Sequence, residues 1–248
     1  MEVIATRPNS LTDLPFTYCP GCLHGVAHRL IAEAIDELEI QDTATGVAPV
    51  GCSVFAYKFF DMDMAQAAHG RAPAVATGIK RARPEMQVFT YQGDGDLAAI
   101  GTAEIVHAAN RGEKFSVFFV NNAIYGMTGG QMAPTTLPEM KTTTSPYGRN
   151  TDDVGHPIKV CELLNTLEAP IYIERVSLLS PVDIIKAKKA VKKALQYNKE
   201  GKGFTFVELL STCNVGWGMS PVDSLTWAKE NMVPYFPLGK FRDKMEVK

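Results

Sequence analysis

Five short apolar runs, each rich in β-branched or aromatic residues, constrain this chain more than any other feature; they lie at 46–50, 88–92, 115–121, 171–176 and 204–210. Helical patterns separate or precede them, at 23–38, 73–83, 98–110, 159–167 and 182–197. A strand that is apolar on both faces must be covered on both faces. Its alternation with amphipathic helices predicts an α/β fold, a doubly wound, mostly parallel sheet. The 98–110 pattern carries small residues at Ala99, Thr102, Ala103, Val106 and Ala109, which let a helix lie close to a sheet, and Gly112 is placed to end it. The expected division is one α/β domain over 1–211 and an extended C-terminal arm over 212–248. That tail holds two Trp and three Pro with little periodicity.

Charge excludes some functions. Lys and Arg total 25 against 27 Asp and Glu, a net charge of -2, so nothing offsets a nucleic-acid backbone. Lys186, Lys188, Lys189, Lys192 and Lys193 form a basic run, but on a helix they are the solvated face opposite Ile185, Val191 and Leu195. The strongest apolar run, 115–120, is far short of the ~18 residues of a membrane span. Residues 1–10 are mixed and polar rather than signal-like, so the expectation is a soluble, cytoplasmic protein without membrane contact.

Five cysteines, an odd number, argue against a fully paired disulfide framework. Cys19 and Cys22 form Cys-Pro-Gly-Cys, Cys52 lies in Gly-Cys-Ser, Cys213 follows Ser-Thr, and Cys161 sits within an apolar helical pattern. Two thiolates on one tight turn can hold zinc or an iron–sulfur cluster, with other ligands arriving from distant segments. A redox dithiol before a helix and simple packing of the isolated cysteines are the alternatives. Cys161 reads as core.

The most informative segment is Tyr-Gln-Gly-Asp-Gly-Asp at 91–96, between a strand and a helix. Such a junction aims free backbone N–H groups at an anion. Asp94 and Asp96 would repel a phosphate unless a divalent cation lay between, an arrangement suited to Mg²⁺. A helical crossover to the run at 115–121 brings the Asn121/Asn122 pair to the same sheet edge as Asp94. The third glycine of a dinucleotide fingerprint and the Gly-Lys-Ser/Thr of a P-loop are missing. A Mg-diphosphate site is the reading this combination favours; a plain structural turn is the alternative. The loop over 126–150, rich in Gly, Thr, Pro and Met, is long enough to be functional.

These residues resemble a known family. Gly-Asp-Gly-Asp with Asn-Asn resembles the diphosphate half of thiamine-diphosphate enzymes. Asn-Asn-Ala-Ile-Tyr-Gly-Met-Thr-Gly-Gly-Gln at 121–131, with Cys-Pro-Gly-Cys and Gly-Cys-Ser, is similar to the β subunit of 2-oxoacid:ferredoxin oxidoreductases, over about 18–218. His-Gly-Arg at 69–71 and the Ala-x-Gly-x-Lys pattern ending at Lys80 fit the same family.

The resemblance implies Mg²⁺ ligands at Asp94, Asn122 and the Ile124 carbonyl. It puts Gly95, Asp96, Gly126 and Met127 beside the diphosphate or thiazolium, and Val50, Gly51, Cys52 and Ser53 on a turn touching cofactor and cluster. It implies one [4Fe–4S] cluster on Cys19, Cys22, Cys52 and Cys213. The implied activity is oxidative decarboxylation of a 2-oxoacid to its acyl-coenzyme A, with electrons passing through the cluster to ferredoxin. The activating Glu is expected from an α subunit that carries the pyrimidine-binding half, and further γ and ferredoxin-like δ subunits belong to the same expectation. His69, with Arg71, is a weaker active-site candidate, since a lone His-Gly-Arg is more often a structural turn. If Phe55 and Met127 face the substrate, an apolar branched-chain 2-oxoacid such as 2-oxoisovalerate fits better than 2-oxoglutarate. The alternative is a non-oxidative decarboxylase or synthase split over two chains, which has no use for the four cysteines.

Overall fold

The computed structural model describes residues 6–246, so the first five and last two residues of the expected domain and arm lie outside the described residues. In chain order the elements are α1 (His24–Glu37), β1 (Ala44–Ala48), α2 (Ala56–Phe59), β2 (Asp63–Gln66), α3 (Ala72–Ala82), β3 (Gln87–Gly93), α4 (Thr102–Asn110) and β4 (Ser116–Asn121). There follow α5 (Thr151–Val154), α6 (Val160–Asn165), β5 (Tyr172–Ser177), α7 (Pro181–Lys199), β6 (Thr205–Leu210), α8 (Asn214–Trp217), α9 (Pro221–Trp227), α10 (Val233–Tyr235) and β7 (Gly239–Asp243).

The strands form one sheet in the order β2-β1-β3-β4-β6-β5-β7. All neighbours are parallel except β7, which pairs antiparallel with β5. As the apolar runs predicted, β1, β4 and β6 are buried at every position. One face is covered by α1 and α7, whose Leu30, Ile31, Ile35, Val191 and Leu195 are buried in a common core. The other core holds Val88, Leu97, Ile105, Val117 and Leu164, under α3, α4 and α6. Helix α7 starts cleanly: the Ser180 hydroxyl accepts from Asp183 N–H and Pro181 occupies the first turn. Its lysines are partly committed, with Lys188 bridging Glu33 and Glu37 of α1 and Lys192 reaching Glu37.

Three features differ from the sequence expectation. The helix expected at 98–110 opens as a π turn over Gly95–Ile100 and becomes α-helical at Thr102. Gly101 N–H reaches back to the Asp96 carbonyl at 2.9 Å, and Gly101 lies so close to Gly70 that a Cβ would stand 2.7 Å from the Gly70 carbonyl oxygen. Strand β2 carries no apolar run because it is a half-exposed edge. The tail over 212–246 holds three short helices and contributes β7, whose Lys240 and Arg242 mark it as a charged edge strand.

The loop over 126–150 is ordered by a side chain rather than by regular structure. Buried Arg149 donates to the carbonyls of Ala133, Pro134, Thr136 and Gly155 at 2.7–3.2 Å.

Candidate active site

The chain reverses direction across the sheet between β1 and β3, since β2 lies on one side of β1 and β3 with everything later lies on the other. Parallel sheets open a crevice at such a switch, outside the carboxyl ends of the strands. A cavity of about 270 Å³ lies there. Its wall after β1 is Val50, Gly51, Cys52 and Ser53. After β3 come Asp94, Gly95 and Asp96, and after β4 come Asn122, Ile124, Gly126 and Met127. All the residues expected at the cofactor therefore line one space, and His69 joins them.

The two carboxylates of the Gly-Asp-Gly-Asp turn are used differently. Asp96 is consumed by structure. One of its oxygens accepts from Gly70 N–H and pairs with His69 Nδ1, both at 2.6 Å, and the other accepts from Gln92 at 2.7 Å. His69 and Asp96 thus tie the His-Gly-Arg turn to the end of β3. Asp94 accepts from Gly95 N–H (2.9 Å), Ile124 N–H (3.1 Å) and the Thr135 hydroxyl (2.9 Å). Burial pushes its carboxyl up to about 6 against the pull of those donors.

Asn122 shows the complementary feature. Its Oδ1 is buried and, among the described residues, has no hydrogen-bond partner. Leaving such an oxygen unsatisfied costs about 1–3 kcal/mol unless a ligand fills its valence. A desolvated carboxylate and an orphaned carboxamide oxygen on one cavity wall are hard oxygen donors of the kind Mg²⁺ takes, and they fit it. Two glycines of this wall are required by close packing. A Cβ on Gly95 would stand 2.4 Å from the Tyr125 ring, and one on Gly126 would stand 2.9 Å from Cys213 Sγ and 3.8 Å from Cys52 Sγ.

That contact at Gly126 also shows Cys52 and Cys213 converging. The Cys19–Cys22 turn, closed by Cys22 N–H to the Cys19 carbonyl at 3.1 Å, is bonded to the Cys213 segment on both sides. Thr212 donates to the Gly21 carbonyl at 3.2 Å and Asn214 to the Pro20 carbonyl at 3.1 Å. Gly21 has φ +89, and any Cβ there would strike Pro221. Burial, then the neighbouring thiols Cys22 and Cys19 and the carboxylate of Asp94, pushes Cys52 up to about 11. Burial first, then Cys52, Asp94 and Cys22, pushes Cys213 up to about 12. Among the described residues no three His, Cys, Asp or Glu side chains close on a single ion. The four thiols are neighbours all the same: Cys22 and Cys52 both feel Cys19, and Cys213 feels Cys52 and Cys22. Cys161 is fully buried in the core, away from them.

Phe55 does not line the cavity. Its ring packs edge-on to Tyr18, with Lys58 Nζ 5.3 Å from its centroid, so the turn after Cys52 carries it away from the expected substrate position. Asn121 likewise turns away from Asp94, its amide donating to Glu208 at 2.8 Å.

Sequence reasoning missed three contributors. Thr135 reaches Asp94 from a loop 41 residues away. Tyr125 fills the space that Gly95 leaves. His24, two residues after Cys22, lines the cavity, with Nδ1 2.6 Å from the Tyr91 hydroxyl and its ring stacked on Tyr18. Burial pulls His24 down to about 4, so it is a neutral ring. Its position directly after the Cys-Pro-Gly-Cys turn was the available signal.

Comparison with known proteins agrees with this geometry. Residues 49–209 match the thiamine pyrophosphate enzyme, C-terminal TPP binding domain family. The chain is 56% identical over 227 residues to the ketoisovalerate oxidoreductase subunit VorA of Methanothermobacter marburgensis, covering 92% of this chain and 48% of that one. It is 36% identical over 239 residues to the 2-oxoglutarate synthase subunit KorB of Methanocaldococcus jannaschii, covering 94% and 83%. The chain therefore spans about half the length of the ketoisovalerate relatives it matches. A solved 2-oxoglutarate:ferredoxin oxidoreductase from Magnetococcus marinus, with 2-oxoglutarate, coenzyme A and succinyl-CoA bound, superposes with a TM-score of 0.81 at 25% identity, over 100% of this chain and 88% of that one. This chain belongs to the thiamine-diphosphate-binding β subunits of the 2-oxoacid:ferredoxin oxidoreductase family.

Proposed function

We propose that this chain is the cofactor-bearing subunit of a 2-oxoacid:ferredoxin oxidoreductase that converts a branched-chain 2-oxoacid to its acyl-coenzyme A. The observation that carries the reading is the juxtaposition, across Gly126, of the open oxygen donors Asp94 and Asn122 with the thiols of Cys52 and Cys213. Asp94, Asn122 and the Ile124 carbonyl would hold Mg²⁺, and through it the diphosphate. Cys19, Cys22, Cys52 and Cys213 would hold a [4Fe–4S] cluster.

Bound there, thiamine diphosphate supplies an electron sink for decarboxylation, and the cluster supplies the first electron acceptor. The chain's own residues orient and enclose. Gly51, with φ +100, would let the backbone after β1 approach the cofactor, and Cys52 next to it would be the ligand that links the cluster to that wall. Asp96 and Gln92 fix the floor, and neutral His24 closes the cavity on the cysteine side. Raised thiols and a raised Asp94 give up their protons as cations bind, so assembly should release protons.

The mouth of the cavity is rimmed by exposed apolar residues: Val50 at 40%, Ile100 at 51% and Met127 at 43%. Such a rim around an open polar site suits a covering subunit, and an α subunit that brings the activating Glu fits it. Coenzyme A, ferredoxin and further γ and δ subunits belong to the same reading. Among the described residues no helix is long and apolar enough to cross a membrane; we infer a cytoplasmic site of action. Branched-chain preference is supported by the relative named for ketoisovalerate, more similar than those named for 2-oxoglutarate, and by Met127 at the mouth.

The test is a panel of 2-oxoacids with coenzyme A and a low-potential acceptor, run on the anaerobically isolated enzyme. 2-Oxoisovalerate should give the highest kcat/KM. Faster turnover of 2-oxoglutarate would overturn the substrate assignment, and decarboxylation without acceptor reduction would replace the oxidative reaction by the non-oxidative one.

A further inference from the structure

Behind the cavity lies a buried ion pair that the cofactor reading does not use. Arg175 on β5 and Glu208 on β6 are register partners, both 0% exposed, with Arg175 Nε donating to Glu208 at 2.9 Å. Arg175 also donates to Glu162 and to the Pro237 carbonyl. Two charges this deep cost several kcal/mol each to desolvate, and apolar residues of similar volume usually serve stability as well. The pair therefore calls for a reason beyond holding the sheet together.

The other carboxylate oxygen of Glu208 supplies one. It accepts the Asn121 amide at 2.8 Å, which fixes which way that amide faces: its N–H₂ must meet the carboxylate. The Asn121 carbonyl oxygen then accepts Ala123 N–H at 3.2 Å. Ala123 has φ +59, a left-handed conformation that costs a residue with a side chain about 1–2 kcal/mol and persists only when its surroundings impose it. Two further bonds hold the same turn. The Thr136 hydroxyl donates to the Ala123 carbonyl at 2.6 Å, and the Trp217 indole donates to the Asn122 carbonyl at 3.1 Å. The residue inside this clamp is Asn122, whose orphaned Oδ1 is the open donor of the cavity.

We propose that Glu208 is a positioning residue for the Mg-diphosphate site: it orients Asn121, Asn121 imposes the left-handed turn at Ala123, and that turn presents Asn122 to the cation. Arg175 holds the Glu208 carboxyl in place from its other oxygen, and the segment that supplies Pro237 caps Arg175. The inference rests on the reading of Asn122 as a cation ligand.

The experiment is equilibrium binding of thiamine diphosphate with Mg²⁺ to the assembled enzyme stripped of cofactor, by calorimetry, below the melting temperature of each variant. Glu208→Gln sets an amide N–H₂ against either Asn121 or Arg175, donor facing donor. Asn121→Ala leaves the Arg175–Glu208 contact in place and removes both the amide that Glu208 accepts and the link to Ala123. Both should raise the dissociation constant roughly 10- to 100-fold, with turnover at saturating cofactor recovering towards wild type and iron content unchanged. A lowered melting temperature with an unchanged dissociation constant in the folded variants would overturn the proposal. If Glu208→Gln does not fold, Asn121→Ala decides alone. Wild-type enzyme that takes up no thiamine diphosphate would overturn the site reading itself, a result distinct from wild-type and variants binding equally.

Discussion

Two buried polar clusters meet at Asn121, and they differ in how completely they are satisfied. Around Arg175 and Glu208 the donors find acceptors at ordinary distances, with Glu162, Pro237 and Asn121 completing the set. Around Asp94 and Asn122 the account stays open: one carboxyl is raised by burial, and one amide oxygen has no partner among the described residues. A closed cluster specifies a conformation. An open one at the mouth of a cavity marks where a ligand completes the structure.

The largest effect should come from the open cluster. Asp94→Asn should abolish retention of thiamine diphosphate through gel filtration, a loss of affinity of roughly 100-fold or more. The variant's amide N–H₂ must face either the Gly95 or the Ile124 N–H, so retention is to be compared below its own melting temperature. A variant that kept its cofactor would break the comparison at its centre.

On the closed side, Arg175→Ala strands Glu208 as an unpaired buried charge. Denaturant unfolding should show a loss of about 3–5 kcal/mol. A loss below 1 kcal/mol would mean that solvent or another group replaces the guanidinium.

The histidines extend the comparison to pH. His28 is closed: its Nδ1–H donates to the His24 carbonyl at 2.8 Å, and Nε2 accepts from the Tyr18 hydroxyl at 3.2 Å. Burial, with His24 adding to it, pulls His28 down from 6.5 to about 3. With the folded value depressed, the unfolded chain takes the proton first as pH falls. The stability in question is whole above about pH 6.5 and is lost as pH drops towards 3, at up to about 1.4 kcal/mol per pH unit. His28→Gln keeps a donor and an acceptor without titrating, and should flatten unfolding free energy against pH between about 6 and 4. An unchanged slope would assign the acid sensitivity to other groups.

The smallest effect is expected at Cys161, which is fully buried with its thiol against Glu208. Cys161→Ala should cost about 1–2 kcal/mol in unfolding and leave the iron content of the isolated enzyme as it was. Lost iron would place this cysteine in the cluster after all.

Much of this was legible before any coordinates, for a physical reason. Strands buried on both faces are rich in apolar residues, so β1, β3, β4, β5 and β6 announce themselves, and their helices follow by periodicity. Residues at the carboxyl ends of such strands share an edge, which is why Asp94 and the Asn121/Asn122 pair could be grouped from sequence; Gly51 joined them through the family resemblance. Edge strands carry no such signature, so β2 and β7 were silent. Side-chain direction was silent too. Nothing in the spacing says that Asp96 turns to His69 while Asp94 faces the cavity, that Asn121 turns inward to Glu208, or that Phe55 packs on Tyr18. Thr135 and Arg149 act through a loop without periodicity, where sequence offers least.

In the proposed function one cavity wall holds a thiamine diphosphate, and four cysteines beside it hold an iron–sulfur cluster. The most direct measurement is iron, acid-labile sulfide and thiamine diphosphate per chain in the anaerobically isolated enzyme, compared with a variant in which Cys52 and Cys213 are both serine. The account predicts about four irons and four sulfides attributable to these cysteines, lost in the variant, with one thiamine diphosphate per chain in the native enzyme. Iron content untouched by the double substitution, or iron present with no thiamine diphosphate, would contradict it.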